Sequence, residues 1–120
     1  MFLLNGVKAD SLSLQDRGLQ YGDGLFETIA VRNQQFEFWQ RHMQRLLEGC
    51  QRLRISAPDS EQLLAEARQL LAGCAEAVLK IIITRGQGGR GYRAASESDP
   101  TPSRILAVYD MPDYPAANRN

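Results

Sequence analysis

His42 and Arg45 stand three positions apart in Arg41-His42-Met43-Gln44-Arg45-Leu46, a spacing that on a helix brings both side chains to neighbouring points one turn apart. A guanidinium is a rigid fork of donors suited to a phosphate or a carboxylate. The same arginine could instead lay its methylenes on the core and keep its head in water. Both readings stand on these residues alone. Nothing beside His42 makes a nucleophile–base pair. A second candidate is Arg85-Gly86-Gln87-Gly88-Gly89-Arg90-Gly91-Tyr92-Arg93, with four glycines and three arginines. Its glycines free backbone amides to approach an anion, its arginines could close on a carboxylate, and Tyr92 offers a hydroxyl. It lacks the Gly-Lys-Ser/Thr of a Walker A loop, and no helix follows to make a dinucleotide site, so a plain surface hairpin also fits. A third is Tyr21-Gly22-Asp23-Gly24-Leu25-Phe26-Glu27-Thr28. Two glycines two apart permit a tight turn or a positive φ before a β-branched run.

Elements must hold these residues in place. Gly24 to Val31 reads as a strand, with Phe26, Thr28 and Ala30 on one face and Leu25, Glu27, Ile29 and Val31 on the other. Glu27 thus falls among aliphatic side chains, where a carboxylate needs a partner. Phe2 to Asn5 is a short strand turned by Asn5-Gly6 into Val7-Lys8, and Arg32 to Gln35 turns the main strand into Phe36-Glu37-Phe38. Asp10 to Gln20 is polar and reads as an ordered connection. Trp39, Met43, Leu46, Leu47, Cys50 and Leu53 form an apolar stripe on a helix from 39 to 54. A second helix opens at Pro58, buries Leu63, Leu64, Ala67, Leu70 and Leu71, and stops at Gly73. Ala77–Thr84 is an inner strand and Arg104–Tyr109 the last. The sum is an α+β layer, a mostly antiparallel sheet with two helices packed on one face.

Fourteen basic residues balance fourteen acidic ones, so no global field recommends nucleic acid or an anionic membrane. One histidine and two scattered cysteines, Cys50 and Cys74, make no zinc site. Reduced cysteines, with no signal peptide and no membrane-length apolar run, are the expectation for a cytoplasmic protein.

Taken in order, Asn5-Gly6, Asp16-Arg17-Gly18, Tyr21 to Thr28, His42 to Leu46 and Thr84-Arg85-Gly86 resemble the N-terminal part of fold-type IV pyridoxal-phosphate enzymes. Phe2 to Gly6, Cys50-Gln51-Arg52-Leu53 and Arg85 to Tyr92 are similar to the aminodeoxychorismate lyases of that family. The resemblance implies a small domain over residues 1–110, an interdomain linker starting at 111–120, a homodimer, and pyridoxal 5'-phosphate between domains. It implies that Arg45 binds the coenzyme phosphate, and that Phe26, Arg90 and Tyr92 line the substrate side, Tyr92 standing where D-amino-acid transaminases carry histidine. The Schiff-base lysine is the departure: Lys8 and Lys80 are the only lysines and neither lies in the family's lysine motif. No catalytic residue and no metal ligand is therefore assigned, and the chain alone is expected to be an inactive part of a longer enzyme. The activity implied is release of pyruvate from 4-amino-4-deoxychorismate to give 4-aminobenzoate for folate synthesis. The alternatives are a D-amino-acid or branched-chain aminotransferase of the same fold type and a non-catalytic interaction module.

Overall fold

In the computed structural model, which describes residues 1–87 and 101–112, the chain builds one sheet with its long helices on a single face. The elements are β1 (Phe2–Leu4), β2 (Val7–Lys8), α1 (Arg17–Tyr21), β3 (Gly24–Arg32), β4 (Gln35–Phe36), α2 (Trp39–Leu53), α3 (Ser60–Leu71), β5 (Ala77–Thr84) and β6 (Ser103–Tyr109). The six strands run in the order β2-β1-β6-β5-β3-β4, and every described pairing is antiparallel. Both short hairpins turn through two residues at positive φ: Asn5 (50°) and Gly6 (84°), then Asn33 (52°) and Gln34 (63°). That geometry matches the right-handed twist of the flanking strands.

β5 is the spine. It pairs with β3 from Gly24↔Thr84 to Val31↔Ala77, and with β6 from Val78↔Tyr109 to Thr84↔Ser103. One face of these strands carries Leu3, Ile29, Val31, Leu79, Ile81, Ile83 and Leu106, all buried under Met43, Leu46 and Cys50 of α2 and Leu63, Ala67, Leu70 and Leu71 of α3. Each such aliphatic side chain contributes roughly 1.5–3 kcal/mol on burial. The opposite face, with Phe26, Lys80, Ile82 and Ile105, carries neither long helix; short α1 meets it only at the Thr84 and Ser103 end. Phe2, Phe26 and Tyr109 are exposed there.

Several expectations shift in detail. Part of the 10–20 connection is α1: Asp16 accepts from Gly18 N–H at 2.8 Å and Gly22 closes the helix at φ 65°. α3 begins at Ser60 because the carboxylate of Asp59 takes the Glu61 N–H at 3.0 Å, so Pro58 precedes the cap instead of opening the helix. Phe38 adopts φ 56° as the N-cap of α2 and leaves the strand, and Leu47 and Leu53 sit at the rim of the α2 stripe, each 38 % exposed. Leu64 is only half-buried, while Glu66 beside it is buried, its carboxylate gripped by the Arg104 guanidinium at 2.8 Å through both Nε and Nη2. Cys50 is buried and Cys74 exposed, both free. Among the described residues no helix is long and apolar enough to cross a membrane.

Candidate functional site

Glu27 stands on the helix-facing side of β3, opposite Ile81 in the register, and only 5 % of it is exposed. Its burial is compensated by α2. Arg45 Nε donates to Oε1 and Oε2 at 3.1 and 3.0 Å, and Nη2 donates to Oε1 at 2.7 Å. His42 Nδ1 lies 2.7 Å from Oε1; because an ionised carboxylate only accepts, Nδ1 carries the hydrogen. Burial pushes the Glu27 carboxyl up, but the hydrogen bonds and charges of Arg45 and His42 outweigh it and hold the group below the ordinary carboxylate value. Glu27 in turn keeps Arg45 firmly protonated.

The i, i+3 spacing therefore brings His42 and Arg45 onto one acceptor. That pairing was only half legible in sequence: the need of Glu27 for a partner was visible, the identity of the partner was not. The Arg45 side chain remains 67 % exposed. Nη1 has no partner among the described residues, so three of the five N–H donors of the guanidinium still point away from Glu27. A fork fixed on one edge and open on the other is suited to an incoming phosphate.

Asp23, in the turn before β3, is anchored from two sides. Its Oδ2 accepts from Arg17 Nε at 3.1 Å and from Arg85 Nε at 2.7 Å. Burial raises its carboxyl, yet the two guanidinium groups prevail and lower it. Arg85 also donates from Nη1 to the Arg54 carbonyl (3.0 Å) and from Nη2 to the Leu53 carbonyl (2.5 Å), capping the C-terminus of α2. The first arginine of the glycine loop thus ties the Gly22–Gly24 turn to the helix that carries Arg45, and is not available to close on an anion. Arg90 and Tyr92 lie outside the described residues.

Gly24 is required for a different reason from Gly22. A Cβ on it would stand 2.5 Å from the Ile83 carbonyl oxygen, so no side chain fits where β3 starts against β5. Asp16, fully buried, accepts from Thr84 Oγ1 (3.1 Å), Ser103 Oγ (2.5 Å) and Gly18 N–H, joining α1 to the facing ends of β5 and β6. It was missed as a keystone because its partners are far away in sequence.

β4 pairs with β3 only at Val31 and Arg32, so the outer edge of β3 before Ala30 carries no strand among the described residues. Phe26 faces away from Glu27 at that edge and is 59 % exposed, while Lys80 Nζ stands 4.8 Å from its ring centroid. One stretch of β3 therefore presents an arginine clamp on one face and an open aromatic ring on the other. No group of acidic, cysteine or histidine side chains among the described residues could hold a metal ion.

Comparison with known proteins gives this arrangement a context. The family model for amino-transferase class IV matches residues 24–120. The crystal structure of 4-amino-4-deoxychorismate lyase from Pseudomonas aeruginosa is 44 % identical with a TM-score of 0.83, covering 96 % of this chain and 42 % of that one. The aminodeoxychorismate lyase of Vibrio harveyi is 39 % identical over 100 residues, 83 % of this chain and 37 % of that protein. A hypothetical aminotransferase from Mycobacterium tuberculosis in its PLP-bound form shares the fold, with a TM-score of 0.71 at 23 % identity, over 93 % of this chain and 40 % of that one. This chain thus spans about two-fifths of the length of the relatives it matches. The chain belongs to the amino-transferase class IV family.

Proposed function

We propose that the chain is the N-terminal part of a pyridoxal-phosphate-dependent 4-amino-4-deoxychorismate lyase. In this reading residues 1–110 form its small domain, residues 111–120 begin the interdomain linker, and the whole works as a cytoplasmic homodimer. The observation that carries the reading is the clamp of Arg45 by buried Glu27, which leaves one edge of the guanidinium free and exposed. Likeness to the Pseudomonas and Vibrio lyases supports the choice of substrate.

Arg45 holds the coenzyme phosphate through the donors that Glu27 leaves free, and Glu27 removes the rotational freedom that would weaken that grip. His42 donates to the same Glu27 Oε1 that Arg45 Nη2 holds and so keeps the carboxylate from turning away. Phe26 supplies a flat apolar surface for the substrate ring. When bound, pyridoxal phosphate supplies an electron sink for the carbon that bears the amine. In the reaction the substrate loses the proton on that carbon, and its neighbouring C–O bond breaks. The ring becomes 4-aminobenzoate, and the departing enol takes up a proton to become pyruvate. Atoms balance without water or oxidant. The lysine that moves these protons is not supplied by Lys8, exposed on β2, or by Lys80, in mid-β5. Arg90 and Tyr92 remain assigned to the substrate side by resemblance alone.

The test is to incubate the full-length protein with aminodeoxychorismate, and separately with an amino acid plus 2-oxoglutarate. Pyruvate and 4-aminobenzoate with no amino-group transfer support the lyase. Glutamate formation without pyruvate release assigns the chain to an aminotransferase of the same fold type, and failure to take up coenzyme leaves an interaction module.

A further inference from the structure

We propose that Arg85 is a positioning residue for the coenzyme: it sets how α2 lies on β3 and so aligns the Arg45 fork with the phosphate, an inference that rests on the reading above. β3 and α2 run in opposite directions, and three contacts join them like rungs. At one end Glu27 meets Arg45. In the middle a Cβ on Gly49 would stand 2.3 Å from Leu25 Cδ1, so the helix backbone lies directly on that leucine. At the other end Arg85 bridges Asp23, just before β3, to the carbonyls of Leu53 and Arg54 at the close of α2. The strand side steps by two residues, through 23, 25 and 27, and the helix side by four, through 53, 49 and 45. Two strand residues advance about 6.8 Å and four helix residues about 6 Å, so the rungs stay in register.

The rungs differ in stiffness. Leu25 is a half-buried, movable side chain and cannot hold the spacing by itself. The Arg45 side chain is 67 % exposed, so the direction of its open edge depends on where α2 is set. Arg85 is the stiff rung. Its side chain is only 12 % exposed, and its backbone N–H donates to the Asp23 carbonyl at 3.0 Å. Nε donates to the Asp23 carboxylate at 2.7 Å, and Nη1 and Nη2 to the two helix carbonyls at 3.0 and 2.5 Å. A planar fork that ends on a carboxylate and on two main-chain carbonyls fixes distance and angle together. Arg17 holds the same Asp23 oxygen at 3.1 Å, so the turn stays anchored without Arg85, and what its removal releases is the tie to α2. Once released, the helix needs to move by only about 1 Å to spoil the alignment of Arg45.

The experiment uses the full-length protein and reads the ratio of its affinities for pyridoxal phosphate and phosphate-free pyridoxal, from absorbance of the bound coenzyme. Arg85→Met keeps the apolar stem and removes every donor. Arg85→Lys can keep the ion pair with Asp23 but not the fork, and it decides the matter should Arg85→Met fail to fold. Either variant should lower the preference for the phosphorylated form about 5- to 20-fold while affinity for pyridoxal barely moves. Because Arg85 acts through Arg45, the same substitution in an Arg45→Ala background should leave the ratio unchanged. A ratio within about twofold of wild type, an equal loss of both affinities, or the same loss with and without Arg45 would each overturn the proposal. A merely structural role produces the second of these, a lower Tm with no change in preference. Failure of the parent reading looks different: Arg45→Ala alone would then leave the ratio untouched, or the wild-type protein would release no pyruvate.

Discussion

Replacing Asp16 with alanine deletes the acceptor shared by three groups: Gly18 N–H at 2.8 Å, Thr84 Oγ1 at 3.1 Å and Ser103 Oγ at 2.5 Å. Thr84 and Ser103 are buried, so their hydroxyls would have no water to replace the carboxylate, and α1 would lose its N-cap. Hydrogen bonds to a charged group are worth about 1.5–3 kcal/mol each. Part of that sum is offset, because alanine also removes the cost of burying a charge. The net expectation is about 3–5 kcal/mol, or roughly 10–20 °C in Tm for a domain of this size. Asp16→Asn should cost only about 1–2 kcal/mol, since the amide oxygen can still take the Gly18 N–H and the amide nitrogen can donate to a hydroxyl. Urea unfolding of the 120-residue chain, followed by far-ultraviolet circular dichroism and by Trp39 fluorescence, measures both variants. A loss below about 1 kcal/mol for Asp16→Ala would refute the view that this carboxylate joins α1 to the facing ends of β5 and β6.

Two further substitutions test other joints. Glu27 titrates below the ordinary carboxylate value of 4.5 in the folded chain, so its stabilising contribution is complete above that pH and fades as pH falls through the lower folded value. Glu27→Gln should therefore flatten the acid limb of a urea-midpoint-against-pH curve, and an unchanged limb would contradict the pairing with Arg45 and His42. Gly24→Ala would press a methyl against the Ile83 carbonyl at 2.5 Å, whereas in Gly49→Ala the obstacle is the movable Leu25 Cδ1 at 2.3 Å. The first should cost about 2–4 kcal/mol and the second less than about 1 kcal/mol, because alanine also favours the helix; equal losses in chemical denaturation would count against this account of the turn.

Much of this fold was legible from periodicity. The aliphatic run Ala77–Thr84 is a strand with the ends expected, and the alternation along β3 correctly separated Phe26 from Glu27. What escaped depends on partners distant in sequence. α1 is five residues long, too short to show a helical repeat, and depends on the Asp16 cap and on Arg17 N–H donating to the Gly86 carbonyl at 2.8 Å. Arg85 looked like one more arginine of an anion loop, yet it is taken up by Asp23 and the end of α2, an arrangement fixed by how β5 meets the helix. The site was half legible for the same reason. A carboxylate among aliphatic residues announces that it needs a cation, but only the packing of α2 on β3 says which one.

The phosphate clamp is tested most directly by titrating the full-length protein and its Arg45→Ala variant with pyridoxal phosphate and with phosphate-free pyridoxal, following absorbance of the bound coenzyme. The wild type should prefer the phosphorylated form. In Arg45→Ala, affinity for pyridoxal phosphate should drop by about 10- to 100-fold while that for pyridoxal barely moves, since only the phosphate meets the guanidinium. Equal affinity of both proteins for pyridoxal phosphate would mean that Arg45 does not hold it.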